Sequence, residues 1–574
     1  MDKLSPVYTL KNECHDCYKC VRECYVKAIK IEDGHASIIP DKCIACGRCV
    51  TACPSCAKKV RDDIEKAKNL LRAKKKVYVS LAPSWRGVFE FSARKMIAIL
   101  KHIGFQDVSE TALGAQEVSI ATANTLKEAK SGLFVSSACP VIVDYVRYYM
   151  SDYTDAITPL ASPALTHAKM LKDTYGEDIA VVFIGPCIAK KNESDKNPDL
   201  INVALTFDEL LRWIGDDGIN IEEIPVSKDE AFVPESCYEG AIYPIEGGMN
   251  ETIKRCGIPP EVQLLSVSSL NAFKAAIKGL NLKNLKAPIF VEALGCDGGC
   301  VAGPSISSKK ARVSIMSNII SKVKTRDAVP EEPKTIVKGE FLPKPVKSAS
   351  YPLADVLKAL KKIGKHSVED ELNCGGCGYD TCRELAQALI SGEAETSMCV
   401  SYMRKIAMRK AAAMLRCMPS AIVMVDNHLN IIEANDAFMK MFCGELYDVF
   451  ASRQDGLLGA AVDRLVPFTE LFKSALKTGK DIHKERYSVQ DKLFDITAFT
   501  IEPNQIVGAV ITDVTQTEMR RDQIAKKAQA VIAKNIAIVQ DIACKLGEHM
   551  VDTELLLSSI ADGFDPENDE RQNP

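Results

Sequence analysis

The sequence predicts a multidomain chain of α/β and α+β units that ends in a long helix, and three observations carry that reading. At 574 residues the chain is too long for a single hydrophobic core, so several folded units are expected. Most of its 22 cysteines stand in short-spaced groups, as metal-ligating thiolates do. Between residues 77 and 325 β-rich apolar runs alternate with helical stretches, the mark of a largely parallel sheet, and beyond 352 the pattern changes character.

Composition narrows the class. The apolar content of 47% is ordinary for globular protein, and a formal charge of −3 argues against nucleic acid or an anionic membrane as partner. No apolar run approaches the roughly 20 residues that cross a bilayer. The opening stretch MDKLSPVYTLKNEC lacks the basic-then-apolar pattern of a secretory signal, so a cytoplasmic location is expected. In that reducing compartment grouped cysteines read as ligands rather than disulfides.

Residues 1–62 carry the run C-x2-C-x2-C-x3-C twice, as Cys14, Cys17, Cys20 and Cys24, then Cys43, Cys46, Cys49 and Cys53 before Pro54. In such runs three thiolates hold one cube and the fourth reaches the other. Cys14, Cys17, Cys20 and Cys53 are thus assigned to one 4Fe–4S cluster, and Cys43, Cys46, Cys49 and Cys24 to a second. Zinc is the competing metal, although structural zinc sites rarely use two interlocked runs. The stretch resembles bacterial two-cluster ferredoxins, which move electrons. Cys56 falls outside the pattern as a spare thiol, and His15 reads as a flanking side chain.

In residues 77–325 four runs end suggestively: V77-Y-V-S-L-A82 before Pro83, L133-F-V-S-S137 before Ala138-Cys139-Pro140, A180-V-V-F-I184 before Gly185-Pro186-Cys187, and I289-F-V-E-A-L294 before Gly295-Cys296. Ligands of parallel sheets gather beyond the carboxyl ends of the strands. Cys139, Cys187 and Cys296 are expected to converge there, with Cys300 brought in by the turn at Gly298 and Gly299. Any one of them alone reads as a core cysteine; the four together imply an iron-sulfur site.

Three of these segments resemble the signature motifs of the iron-iron hydrogenase catalytic domain. S136-S-A-C-P-V-I142 is similar to T-S-C-C-P-x-W, G185-P-C-I-A-K-K-N-E193 to M-P-C-x-x-K-x-x-E, and E292-A-L-G-C-D-G-G-C300 to E-x-M-A-C-x-x-G-C. The resemblance implies an H-cluster: a 4Fe–4S cube on Cys139, Cys187, Cys296 and Cys300, joined through Cys300 to a diiron unit with CO, cyanide and a bridging dithiolate. It implies that Lys190 donates to cyanide, that Glu193 holds Lys190, and that Ala82, Pro83 and Ser84 lie beside the diiron unit. Without the motif, K-K-N-E would read as a solvated helix face. The family's motif methionine is Leu294 here, its second is Gly185, and its tryptophan is Ile142.

The departure that matters most is Ala138, where turnover enzymes of the family have a cysteine that passes the proton onward. A methyl group neither donates nor accepts. The family's acidic relay segment aligns with Q116-E-V-S-I-A-T122, which puts Ala121 and Thr122 at the relay positions. Such a site binds or slowly processes hydrogen, as suits a protein that detects it.

Residues 326–352 are rich in Pro, Lys and Glu and read as a linker. Residues 353–405 contain C374-G-G-C-G-Y-D-T-C382 and Cys399, and resemble a small helical Fe–S domain holding a third 4Fe–4S cluster on Cys374, Cys377, Cys382 and Cys399. Zinc is again the alternative. The helix R383-E-L-A-Q-A-L-I390 is expected to deliver the last ligand. Residues 411–516, with strands at A421-I-V-M-V425, I431-I-E-A434, L493–T500 and Q505–T515, resemble a PAS domain; His428 falls in a turn, where it is solvated rather than a ligand. Residues 517–562 are helical, with Ile524, Ala528, Val531, Asn535, Ile538 and Ile542 forming a heptad seam that suits either coiled-coil homodimerisation or packing on the chain's own PAS domain. Cys237, Cys256, Cys417, Cys443 and Cys544 read as ordinary thiols. No kinase, phosphatase or DNA-binding motif follows, so output is expected to fall to a partner.

The resemblance therefore implies a sensory hydrogenase of an anaerobe, a ferredoxin hydrogenase-type oxidoreductase of low turnover. Hydrogen is its substrate, a ferredoxin-like protein its redox partner, and a phosphatase or kinase its output. A catalytic ferredoxin-linked hydrogenase with a rerouted proton path is the first alternative. The second is a hydrogenase-like iron-sulfur protein without the diiron unit, an electron carrier or assembly factor.

Overall fold

In a computed structural model, which describes residues 5–73, 76–306, 310–347, 349–453 and 456–562, the chain divides into two units, Met1–Met403 and Arg404–Pro574. Mixed α/β architecture runs through the first, and no helix among the described residues is long and apolar enough to cross a membrane.

The first unit opens on two short hairpin-like pairs. Strand β1 (Val7–Thr9) pairs antiparallel with β4 (Lys58–Val60), and β2 (Ile29–Glu32) with β3 (His35–Ile38). The internal repeat extends to backbone handedness: Asp16 and Ala45, Tyr18 and Gly47, and Lys27 and Cys56 occupy equivalent positions, all at positive φ. Left-handed residues at matched points turn each loop back on itself, so that cysteines three apart face one centre.

Two parallel sheets follow, where the sequence suggested one. The first has the order β6-β5-β8-β9, built from β5 (Val77–Leu81), β6 (Asp107–Glu110), β8 (Ala180–Gly185) and β9 (Val203–Thr206). The second has the order β10-β11-β7, built from β7 (Gly132–Val135), β10 (Gln263–Ser268) and β11 (Pro288–Leu294). Periodicity locates strands but carries no record of which strands pair. The near-continuous apolar runs of β5 and β8 are buried along their whole length, as strands covered on both faces are. The helix Pro163–Tyr175 starts where Ser162 caps Leu165 N and Pro163 takes the first helical position.

His167 on that helix is wholly buried between two hydroxyls, and burial lowers its pKa to about 3. The unfolded imidazole takes a proton near its ordinary value of about 6.5. Stability is thus expected to fall as pH drops from about 6.5 toward 3, by several kcal/mol. His167→Gln should flatten that acid limb in a urea titration run at pH 7, 6 and 5.

Residues 326–347, expected as a linker, lie along the first unit as a bound strap. Ala161 N donates to Val337 O at 2.8 Å, Gly339 N to Pro159 O at 3.1 Å, and Lys344 N and Val346 N to Arg147 O and Tyr148 O at 3.0 Å each. Arg326 Nη2 meets the buried Glu239 carboxylate at 2.6 Å. Backbone groups that find partners on a surface already formed leave no trace in side-chain periodicity.

The small cysteine-bearing segment after the strap packs on the N-terminal repeat. Ile31 N donates to Glu393 O at 2.9 Å and Gly34 N to Glu395 Oε1 at 3.2 Å. At Gly378, whose φ is +94°, a Cβ would come within 3.0 Å of Arg22 N. One hydrophobic cluster joins Val21 and Ile29 to Ile142, Phe273, Leu360 and Leu385.

In the second unit β12 (Ala421–Asp426), β13 (Ile431–Ala434), β14 (Ile482–Val489), β15 (Lys492–Glu502) and β16 (Ile506–Asp513) form an antiparallel sheet of order β13-β12-β16-β15-β14. Phe438, Phe442, Phe468, Phe472 and Phe494 pack ring on ring over it, with Cys443 buried among them. His428 is exposed in the turn between β12 and β13. The helix Thr515–Asp562 continues for 48 residues, with Ile524, Val531, Ile538 and Ile542 exposed along it.

Candidate functional site

The carboxyl ends of the two parallel sheets enclose one cavity. Its walls are Ala82, Pro83 and Ser84 after β5, Ala138 and Cys139 after β7, Pro186, Cys187 and Lys190 after β8, and Leu294 and Cys300 at and after β11. Each segment leaves its strand at the point where a parallel sheet frees its carbonyl ends, which is why separate stretches of chain meet here. Gly298 and Gly299, at φ +84° and +95°, make the turn that returns Cys300, and a Cβ on Gly299 would meet Pro244 O at 2.4 Å.

Cys296 faces a neighbouring cleft that it shares with Cys46, Gly295 and Pro304. Gly295 N donates to Cys139 Sγ at 3.4 Å. Burial pushes the Cys187 thiol up to about 11, with Cys139 adding to the effect. Cys296 and Cys300 are driven higher by burial and by their sister sulfurs. Sulfurs that suppress one another's ionisation need more positive charge than the single ammonium of Lys190 before they can all be thiolates, which a bound iron centre would supply.

Lys190 is the cation of the cavity. Its Nζ donates to Ser162 Oγ at 2.9 Å and to Glu193 Oε2 at 2.6 Å, and it is 8% exposed. Ser84 Oγ is buried and has no partner among the described residues. An ammonium and an orphaned hydroxyl, both in a dry apolar cavity, suit a ligand that accepts hydrogen bonds and carries negative charge. The residues present therefore fit an iron site with anionic ligands.

At Ala138 the wall is a methyl group, its N–H tied back to Ser136 Oγ at 3.2 Å. The helix Ala112–Glu128 touches the cavity at Ala115, with Thr111 just before it, rather than at Ala121 or Thr122. Thr122 Oγ1 is buried without a partner. Glu117, the segment's carboxylate nearest those positions, takes the backbone N–H groups of Lys334 and Thr335 from the strap.

The N-terminal cysteines fall into two electrostatic neighbourhoods. Burial lifts Cys20 to about 11, and Cys14, Cys17 and Cys53 add to it; burial lifts Cys46 to about 12, with Cys24 and Cys43 adding. Beside the second set the backbone at Gly47 packs closely on the segments after β8 and β11, since a Cβ there would meet Pro304 and Ile188 at 2.6 and 2.7 Å. Cys374, Cys377, Cys382 and Cys399 line one pocket. The helix here begins at Cys382 itself, so it carries the third cysteine, and Cys399 arrives after a separate turn at Thr396–Met398. Among the described residues no three Cys, His, Asp or Glu side chains close on a single ion.

Several residues of the site carry no sequence signal. Tyr243, Pro244 and Thr111 line the cavity from segments without a motif. Ser162, the partner of Lys190, also falls in no motif. Glu292, inside a quoted motif, is buried and its carboxyl is lifted by burial to about 7 against the pull of the Asn250 and Met249 N–H groups.

Residues 75–304 match the family model of the iron only hydrogenase large subunit, C-terminal domain. Residues 6–54 match a 4Fe-4S dicluster domain, 370–401 an Fe–S cluster domain, and 409–480 a PAS domain. The chain is similar to iron hydrogenase 1 of Clostridium pasteurianum, at 24% identity over 388 residues, which cover 48% of this chain and 67% of that one. It is similar also to the HndD subunit of the NADP-reducing hydrogenase of Solidesulfovibrio fructosivorans, at 25% identity over 46% of this chain and 55% of that one. A solved FeFe-hydrogenase of Chlamydomonas reinhardtii aligns with a TM-score of 0.40 at 17% identity, over 50% of this chain and all of its own. The chain thus spans between about half and two thirds of the length of these curated relatives.

Proposed function

From a chain that belongs, through residues 75–304, to the iron-only hydrogenase large-subunit family and carries dicluster and PAS domains beside it, we propose a hydrogen sensor. Cys139, Cys187, Cys296 and Cys300 would hold an H-cluster, a 4Fe–4S cube with a diiron unit that carries CO, cyanide and a dithiolate, and Cys300 would be the thiolate shared with the diiron unit. When bound, that group interconverts hydrogen with two protons and two electrons.

The chain's own residues set what the site can do. Lys190, braced by Ser162 and Glu193, offers an ammonium to an anionic ligand, and Ser84 offers a hydroxyl without a partner among the described residues. Ala82, Pro83 and Leu294 keep that wall apolar and exclude water. Cys43, Cys46, Cys49 and Cys24 would hold the 4Fe–4S cluster that takes electrons from the site, since Cys46 shares a cleft with Cys296. Cys14, Cys17, Cys20 and Cys53, and Cys374, Cys377, Cys382 and Cys399, would hold the two further clusters of the relay. Cys399 is followed at once by the helix Val400–Cys417, which leads into the PAS domain and ties the cluster's redox state to the signalling half.

The observation that carries the sensory reading is the methyl of Ala138 lining an otherwise complete cavity. A positioned acid–base group contributes about 10²–10⁴-fold, and Ala138→Cys alone is expected to raise turnover less than about tenfold, because Ala121 and Thr122, aligned with the family's relay positions, bear no carboxyl. A hundredfold gain would instead favour a catalytic ferredoxin-linked enzyme. Hydrogen gas alone should reduce the iron-sulfur clusters of the matured protein, seen by electron paramagnetic resonance; failure to do so would remove the sensing role.

The exposed apolar seam of the helix Thr515–Asp562 is the feature on which a homodimer is proposed; a cytoplasmic setting and a phosphatase or kinase as output partner are carried over from the family resemblance alone. Removal of residues 517–562 should convert the dimer to single chains in sedimentation without lowering iron content. A full-length protein that sediments as one chain would contradict this.

A further inference from the structure

A file of buried hydroxyls runs from the cavity wall into the four-stranded sheet. Thr111, which lines the cavity, has Oγ1 2.8 Å from Ser80 Oγ. Ser80 Oγ lies 2.7 Å from His167 Nδ1, and His167 Nε2 lies 2.8 Å from Ser109 Oγ. All four side chains are buried. Burial holds the imidazole neutral, with a pKa lowered to about 3, so it carries a single ring proton.

Counting hydrogens decides the direction of the file. Each hydroxyl and the neutral ring carry one polar hydrogen, four in all, while the file has three contacts and each contact uses one. One hydrogen is therefore left over at an end. The Ser109 end is closed, since its Oγ is buried and meets only His167 among the described residues. A hydrogen stranded there would bear the full desolvation of an unmade bond. The Thr111 end opens on the cavity.

We propose that His167 keeps its proton on Nδ1 and that the file therefore turns the Thr111 hydroxyl hydrogen into the cavity, as a donor to an acceptor ligand of the iron site. Ser109 donates to Nε2, Nδ1–H donates to Ser80, and Ser80 donates to Thr111. Thr111 is the binding residue; Ser80, His167 and Ser109 are positioning residues. With the opposite tautomer Thr111 would donate to Ser80 and present only lone pairs, so the ring sets the sign of that wall. The identity of the acceptor rests on the diiron reading above; the tautomer does not.

Nitrogen-15 NMR of the oxidised full chain labelled at histidine, assigned by loss of signals in His167→Gln, reads the tautomer directly. A protonated Nδ1 and a bare Nε2 are expected. In infrared spectra of the matured protein Thr111→Val should move at least one CO or cyanide band to lower frequency, whereas Thr111→Ser, which keeps the donor, should leave the bands in place. Ser109→Ala, which removes the donor to Nε2, should split or move the same band. A proton on Nε2, or bands indifferent to Thr111→Val, overturns the proposal. A wild-type protein without such bands overturns the diiron reading instead, and the NMR result still decides which way Thr111 donates.

Discussion

Cys300→Ser is expected to abolish every CO and cyanide band of the matured protein and to lower its iron content, while the signals of the N-terminal clusters persist. Soft thiolate selects iron-sulfur binding, and a serine hydroxyl stays protonated at neutral pH and does not replace it. Cys300 is enclosed with Cys139 and Cys187, and burial together with those neighbours drives its thiol up, so metal is what makes the cluster of sulfurs tolerable. Cys256, in the turn after the helix Gly248–Lys254 and donating to Thr252 O, is outside the cavity and serves as the control. Cys256→Ser should leave both bands and iron unchanged. Bands that survive Cys300→Ser would mean that the diiron unit hangs elsewhere.

The second large effect lies behind the site. Lys191, next to Lys190 on the same helix, is 1% exposed, and its Nζ donates to Asp63 Oδ2 at 2.9 Å, Glu209 Oε1 at 2.8 Å and Ala204 O at 3.0 Å. Arg61 Nε lies 3.0 Å from Asp63 Oδ2. Burial works against charge on Asp63, yet Lys191, Lys66 and Arg61 outweigh it and hold that carboxyl below its usual range. The network thus fastens the helix Ala189–Lys196, which carries Lys190 and Glu193, to β9 and to the segment that follows the dicluster. Removing one partner of a buried ionic cluster costs about 3–5 kcal/mol, because the others are left without compensation. Lys191→Met should lower the urea midpoint of the first unit by that amount and leave the PAS transition where it was. A change within about 0.5 kcal/mol, the size of an ordinary surface substitution, would show the network to be idle.

Legibility in the sequence followed what the chemistry leaves in order along the chain. Cysteine spacing records which thiols share a loop, so the repeat from Cys14 to Cys53, matched by the dicluster family model, is written in the order of the chain. The four strand ends were legible because Pro83, Pro140 and Pro186 break the runs that Val, Ile and Phe begin. Pairing was not, and the two sheets appear only when β7 joins β11 and β5 joins β8. Backbone-mediated contacts were equally hidden: the strap at 326–347 reads as solvent-loving Pro, Lys and Glu, yet its N–H groups are spent on Pro159, Arg147 and Tyr148. The hydroxyl file from Thr111 to Ser109 spans three elements and has no motif at all.

One measurement tests the central claim most directly: the infrared spectrum of the purified, matured full-length protein, taken under argon and then under hydrogen. The account predicts CO and cyanide bands that change frequency when hydrogen is admitted. A spectrum empty in that region, from protein that carries its iron-sulfur clusters, would contradict it and leave an electron carrier joined to a PAS domain.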